Sequence, residues 1–335
     1  MQGLDGVSVV VPVYNSAATL RALVRRLSAV LSEWGIAHEI VLVNDGSPDD
    51  SWEQIVALSG EYDSIHGVSL MRNYGQHNAL LAGIRRARYG TLITMDDDLQ
   101  NPPEEIPKLL AKLSEGYDVV YGTPIHEQHG LWRDLASQVT KLALQSAMGA
   151  ETARNVSAFR AFRTRLRDSF AGYRGPFVSI DVLLTWATKR FAAVPVRHDP
   201  RRLGRSNYTF RKLVTHALNM MTGFSILPLQ LASVMGFVLT LFGLAVLAYA
   251  VGRFFFLGGT VPGFTFLASV IAIFSGAQLF ALGIIGEYLA RMHFRMMERP
   301  PYSVRDEVLG AGLEPVVQRR PPGGGTARSS SGLGV

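Results

Sequence analysis

Two kinds of hydrophobic pattern alternate along the first part of this chain. Val7 to Tyr14 is an almost unbroken β-branched run, the pattern of a parallel strand buried on both faces. Ala17 to Trp34 then carries Leu20, Leu23, Val24, Leu27, Val30 and Leu31 at helical spacing, with Arg21, Arg25 and Arg26 on the other face. The alternation repeats. Strands are predicted at 39–43, 67–71, 91–93 and 117–122, with helices at about 48–59, between the loop 72–76 and the strand at 91–93, and near 104–114. Strand followed by helix, several times over, predicts a doubly wound and largely parallel α/β sheet.

Beyond residue 122 the pattern loosens. Leu131, Leu135, Val139, Leu142 and Leu144 recur at helical spacing beside Trp132, Arg133 and Lys141. Such a helix suits core packing or a membrane interface. A strand at 157–162, a turn at 173–176, a helix at 180–191 and an edge strand at 193–197 are predicted next. The strongest hydrophobic signal follows. Leu227 to Gly252 has no charged side chain, and neither has Phe254 to Gly286. Each exceeds the roughly 20 residues that cross a bilayer. Gly258, Gly259, Pro262 and Gly263 make a short loop between them. Two spans about 227–252 and 264–286 therefore form a hairpin. Arg211 and Lys212 before it, and Arg291, Arg295 and Arg299 after it, place both flanks in the cytoplasm.

The predicted organisation is a catalytic domain over 1–208, an amphipathic juxtamembrane helix over 209–225, a hairpin over 226–292, a cytoplasmic segment over 293–314 and a disordered tail over 315–335. Among 335 residues there is no cysteine, which excludes disulfides, thiolate metal sites and a cysteine nucleophile. The net charge of +6 could mean nucleic acid but also suits an anionic membrane surface; with the hairpin in the same chain, a lipid surface and no nucleic-acid partner is expected. The N-terminus shows no cleavable signal pattern, so the first domain and both termini are expected on the cytoplasmic side of the membrane.

Asp96, Asp97 and Asp98 follow the strand at 91–93. Adjacent carboxylates repel unless a cation lies among them, and hard oxygen ligands favour Mg²⁺ or Mn²⁺. The alternative is a solvated acidic turn before the next helix. Asn44-Asp45-Gly46 after the second strand is a tight turn or a ligand contact. The loop 197–208 is rich in arginine and reads as solvated surface or as a phosphate clamp. Asp181 opens a predicted helix, facing a ligand or serving as a cap. No Gly-x-Gly-x-x-Gly follows the first strand, which argues against a nicotinamide site.

Val11-Pro12-Val13-Tyr14-Asn15, Val43-Asn44-Asp45-Gly46-Ser47, Asp96 through Pro103 and the C-terminal hairpin stand in one order. Together they resemble the polyprenyl-phosphate glycosyltransferases, relatives of dolichol-phosphate mannose synthase within glycosyltransferase family 2, over about residues 5–308. Stretches at 173–177, 195–199 and 204–209 look closest to the branch that transfers 4-deoxy-4-formamido-L-arabinose to undecaprenyl phosphate. The resemblance implies a GT-A fold, Rossmann-like and nucleotide-sugar-binding, with Mg²⁺ or Mn²⁺. It implies Pro12, Tyr14, Asn15, Asp45 and Asp97 at the nucleotide, and Asp96, Asp98 and Gln100 at the metal. Catalytic roles fall to Asp96, Asp98, Arg205 and Asp181. Arg201, Arg205, Ser206 and Arg133 would hold phosphate. A homotetramer in the bacterial inner (cytoplasmic) membrane is also implied.

Two departures are visible: Asn15 stands where many relatives carry Glu, and Ala158 where relatives have Ser or Asp. A processive polysaccharide synthase of the same superfamily should show a Gln-x-x-Arg-Trp motif and more spans. A membrane scaffold that keeps the fold without the chemistry should lack an intact acidic triplet.

Overall fold

In a computed structural model, described over residues 5–124, 155–175, 178–199, 227–257, 263–297 and 299–313, the described strands form one sheet. Strands Val7–Val13 (β1), His38–Asn44 (β2), Ile65–Leu70 (β3) and Thr91–Thr94 (β4) alternate with helices Ala17–Glu33 (α1), Ser51–Glu61 (α2) and Gln76–Ile84 (α3). A 3-10 turn at Pro103–Glu105 leads into helix Ile106–Ser114 (α4), then strand Val119–Pro124 (β5). Strand Arg160–Arg163 (β6), helix Ile180–Ala187 (α5) and strand Phe191–Val196 (β7) complete the part before the apolar helices Leu227–Leu257 (α6) and Phe264–Met296 (α7). Strand Val304–Leu309 (β8) comes last.

The sheet order is β7-β5-β6-β4-β1-β2-β3-β8. β1 pairs in parallel with β2 on one side and β4 on the other. The connections run outward in both directions from β1, and the C-terminal edge beside such a switch point is where open α/β sheets bind ligands. Alternation along β1 feeds two cores. Val7, Val9, Val11 and Val13 pack with the leucines of α1 and with α2 and α4. Val10 joins Leu80, Leu81 and Ile84 of α3 and Leu183 and Leu184 of α5 on the other face.

The structure departs from the sequence reading in three places. β6 runs antiparallel between β4 and β5, so the sheet is mixed. The helix read as 180–191 stops at Ala187, because Phe191 already pairs with Val119 in the sheet. The segment after the hairpin was read without secondary structure, yet β8 returns to the sheet and runs antiparallel along β3. That pairing covers an edge that would otherwise offer unpaired backbone groups.

α6 and α7 are each long and apolar enough to cross a membrane, and only 6% and 0% of their most apolar windows, within Pro228–Arg253 and Ile273–Phe294, are buried. Core helices of a soluble protein would be covered, so these faces suit lipid. α7 continues past Gly286 to Met296 and carries an i,i+4 pair between Glu287 and Arg291. Within the hairpin, Gly243 meets the Phe274 ring, where a Cβ would approach to 3.0 Å. The predicted helices at 131–148 and 209–225 and the tail 315–335 lie outside the described residues.

β8 is latched by more than its ladder. Buried His66 on β3 contacts Glu307 at 2.6 Å, and Arg86 reaches the other carboxylate oxygen at 3.3 Å. The His66 contact, with Arg86 beside it, holds the Glu307 carboxyl below the usual carboxylate range. A lowered native pKa stabilises the fold above the unfolded-state pKa, and that contribution is lost as pH falls through the lowered value. Because Glu307 is well exposed, solvent screening limits the pair to about 1 kcal/mol or less. Glu307→Gln should therefore lower the thermal midpoint slightly at pH 7. The difference should shrink as pH falls below about 4.5, the ordinary glutamate range. Thermal melts of both proteins across pH check this.

Candidate active site

The site forms where β1, β2 and β4 end. Val13 is the last residue of β1, and Tyr14 and Asn15 turn outward beyond it, with Tyr14 43% exposed. Pro12 lies within β1, buried opposite Val43. Asn15 has a left-handed backbone, φ 56°, and its N–H donates to Ser47 Oγ at 3.2 Å. A left-handed non-glycine residue costs energy and is most often tolerated at functional turns. The Ser16 N–H donates to Ser51 Oγ and the Ala17 N–H to Asp49, at 3.0 and 3.2 Å. The β2 loop thus shapes the β1 loop.

Asp45, at the end of β2, is buried. Its two carboxylate oxygens accept the Tyr74 and Gly75 N–H groups at 2.7 and 2.8 Å. Burial pushes the Asp45 carboxyl up, and these two backbone donors oppose the push. The loop after β3 is therefore drawn onto the β2 end. Gly46 makes the approach possible: at φ +64°, its added Cβ would lie 2.5 Å from the Arg72 backbone.

The acidic triplet divides its labour. Asp96 accepts from Gln76 Nε2 at 2.6 Å. Asp97 accepts the Tyr14 N–H at 3.2 Å and a bond from the Ser16 side chain, and burial raises its pKa. The Asp97 carboxylate is thus engaged with the β1 loop, although the resemblance placed it at the nucleotide. Asp98 accepts the Gln100 N–H at 3.1 Å across Leu99, whose φ of 61° turns the chain. Asp199, where the arginine-rich loop begins, donates its N–H to Gln100 O at 2.8 Å. Arg133, Arg201, Arg205 and Ser206 lie outside the described residues.

The donor set of Asp96, Asp98 and Gln100 is all oxygen, which suits Mg²⁺ or Mn²⁺. Among the described residues no group of three His, Cys, Asp or Glu side chains converges as a complete cage. Two carboxylates with substrate phosphates completing the shell is a common arrangement for Mg²⁺. The residues present fit such an ion.

Asp181 requires a correction. It is not the helix cap: Ser179 holds the cap position and Asp181 lies inside the first turn of α5. Its buried carboxylate pairs with the Arg160 guanidinium and accepts from Tyr121 Oη at 3.1 Å. Arg160 also donates from Nε to Thr94 Oγ1 at 2.9 Å. Burial disfavours the Arg160 charge, but Asp181, the Tyr121 oxygen and Asp96 outweigh it and hold its pKa above the ordinary value. Tyr121 is pushed well up, by burial first and by Asp181 next.

This ion pair braces the base of the acidic loop, and Arg160 was read only as part of a strand. Its signal was faint: one charge between Phe159 and Ala161 in an apolar run. Gln76 was likewise read only as loop.

Removing one partner of a buried pair leaves the other charge uncompensated and commonly costs about 3–5 kcal/mol. Arg160→Met should destabilise the protein on that scale. Arg160→Met combined with Asp181→Leu should recover most of the loss. Chemical denaturation of the three proteins in one detergent measures it.

Comparisons with known proteins place the chain in a family. Residues 8–173 match the family described as Glycosyl transferase family 2. Undecaprenyl-phosphate 4-deoxy-4-formamido-L-arabinose transferase of Shewanella sediminis is 36% identical over 316 residues, covering 92% of this chain and 94% of its own. The protein of that name from Salmonella paratyphi A is 37% identical over 309 residues, covering 90% and 93%. Among solved structures, glucosyl-3-phosphoglycerate synthase from Mycobacterium tuberculosis, in complex with Mn²⁺, UDP and phosphoglyceric acid, superposes with a TM-score of 0.50. At 19% identity over 65% of this chain and 76% of that one, it shows a shared fold, the GT-A fold. With near full-length relatives and a mixed sheet whose C-terminal edge carries the acidic loop, the chain belongs to glycosyltransferase family 2, among its polyprenyl-phosphate glycosyltransferases.

Proposed function

We propose that this enzyme transfers a single sugar from a nucleotide-sugar donor, UDP-linked, to the phosphate of a polyprenyl phosphate, undecaprenyl phosphate, with inversion. The observation that carries the reading is the gathering of Asp45, Asp96 and Asp98 at the C-terminal edge of one sheet, in a chain that continues into two lipid-facing helices. The relatives' names supply the acceptor, and the shared fold supports a nucleotide donor. A nucleotide-linked 4-deoxy-4-formamido-L-arabinose is the first donor to test.

Polyprenyl phosphate has a second pKa near 6 and is largely dianionic at neutral pH. It attacks the anomeric carbon without a general base, and the nucleoside diphosphate leaves from the opposite face. The chain must align two anionic partners and offset their repulsion. Asp96, Asp98 and Gln100 would hold Mg²⁺ or Mn²⁺, which would supply Lewis-acid stabilisation of the departing diphosphate. Tyr14, Asn15 and the Asp45 edge shape the nucleotide pocket, with Pro12 and Asp97 supporting the loop. Arg201, Arg205 and Ser206 of the arginine-rich loop, with Arg133, hold phosphate; Asp199 in the first part of that loop is bonded to Gln100. Asp181, paired with Arg160, braces this edge.

The hairpin holds the enzyme in the bacterial cytoplasmic membrane. α7 leads back to β8 in the catalytic sheet, which supports both flanks of the hairpin lying on the cytoplasmic side. A homotetramer completes the proposal. Gly236, Gly276 and Gly283 have open space around them, suited to close packing of further helices. A monomer both in mild detergent and in nanodiscs would count against that assembly.

Asp98→Asn should abolish transfer while the protein still folds and inserts. Near-normal turnover of this variant at saturating Mn²⁺ would remove the metal assignment. Arg205→Ala should lower kcat by about 10²–10³, more than it weakens nucleotide binding, with lysine rescuing only in part. Steady-state kinetics with both substrates, alongside thermal melts, separate this from a surface charge, whose loss leaves kinetics unaltered.

A further inference from the structure

The segment after the membrane hairpin does more than cover a sheet edge. Before β8 it passes over the loop that follows β3. The Met71 N–H donates to Ser303 O at 2.9 Å. Ser303 also lies beside the Tyr74 phenol and, more than any other group, holds its pKa below the ordinary value. The Arg72 guanidinium stacks over the Tyr74 ring at 4.6 Å. Next to it, Tyr302 lies under the Arg85 guanidinium at 5.7 Å, and Arg85 donates to Ala171 O and Tyr173 O at 3.0 and 2.8 Å.

The same short loop carries the contacts that shape the site. Tyr74 and Gly75 donate their N–H groups to Asp45, Gln76 donates to Asp96, and the Arg72–Asn73 backbone rests on Gly46. Tyr74 O further accepts from Asn78 at 2.6 Å, tying the loop to α3. One end of the loop is held by the chain that has just left the membrane. The other end holds two carboxylates at the C-terminal edges of β2 and β4.

We propose that Tyr302 and Ser303 are positioning residues for the donor site: Ser303 acts through Met71 and the Tyr74 loop, and Tyr302 through Arg85 at the end of α3, the helix whose first residue, Gln76, holds Asp96. Docking of the post-hairpin segment sets the Arg72–Gln76 loop, and the loop sets Asp45 and Asp96 for the nucleotide diphosphate. A catalytic domain severed from this segment would keep its acidic residues and lose their alignment. The inference rests on the donor-site reading given above. It assigns to a stretch far along the chain a share in nucleotide affinity.

The test uses full-length protein in detergent, with UDP and Mn²⁺ as the probe and GDP as a comparison. Tyr74→Phe removes the phenol oxygen and keeps the ring over Arg72. Tyr302→Ala removes the cation–π contact, and Tyr302→Phe retains it. Tyr74→Phe and Tyr302→Ala should each weaken UDP binding about five- to tenfold, the scale of one lost polar contact. Turnover at saturating substrates and KM for polyprenyl phosphate should stay within about twofold. Tyr302→Phe should bind UDP like the wild type.

A merely structural role predicts a lower thermal midpoint with unchanged UDP affinity in the folded fraction, and that result would overturn the proposal. So would a fall in kcat with UDP affinity intact. Wild-type protein that binds neither UDP nor GDP with Mn²⁺ would instead overturn the donor-site reading, and this inference with it.

Discussion

Carboxylates crowd one edge of this sheet, and the rest of the structure is arranged to hold them there. Asp45, Asp96, Asp97, Asp98 and Asp181 all lie at or just beyond the ends of strands or the start of a helix at that edge. Like charges at close range raise each other's pKa, and burial raises it further. Each carboxylate therefore has a donor of its own. Backbone N–H groups serve Asp45, Asp97 and Asp98, an amide side chain serves Asp96, and a buried guanidinium serves Asp181.

The choice of donors separates scaffold from site. A backbone N–H tethers a loop without adding a charge, so the Asp45 and Asp97 contacts draw two loops together and leave the edge acidic. Arg160 is different. It carries a full positive charge, and it lies beneath the loop, bonded to Thr94 and Asp181. It can brace the end of β4 without occupying the place of a ligand cation. An edge organised in this way suits a reaction between two anions, where alignment and charge compensation do the catalysis and no proton need be removed.

The two apolar helices, long enough to cross a membrane, bear on the same edge. A polyprenyl acceptor is confined to the bilayer, so the catalytic domain must stay close to it. The chain leaves the sheet after β7, forms two apolar helices and comes back as β8. Return to β3 covers that strand's free side and brings Ser303 against the start of the loop that holds Asp45. Anchoring and site geometry are thereby built from one continuous stretch.

Much of this was legible in the residues alone. The β-branched run at 7–14, the periodic leucines of α1 and the long uncharged stretches after 227 each satisfy a local rule, because strand, helix and span depend on spacing within a few turns of chain. The acidic triplet was legible for the same reason: its charges are adjacent in sequence. What tertiary structure decided depends on residues far apart. Ser8 bonds Glu39, Arg160 finds Asp181, and His66 meets Glu307, and nothing in the spacing of either partner announces the other. The antiparallel insertion of β6 and the return of β8 were hidden likewise, since a short strand carries no mark of its neighbour or direction. Asp181 shows the limit best. Its place near a helix start could be read from the chain, but that it pairs with a buried arginine and leaves the cap to Ser179 depended on what folding brought beside it.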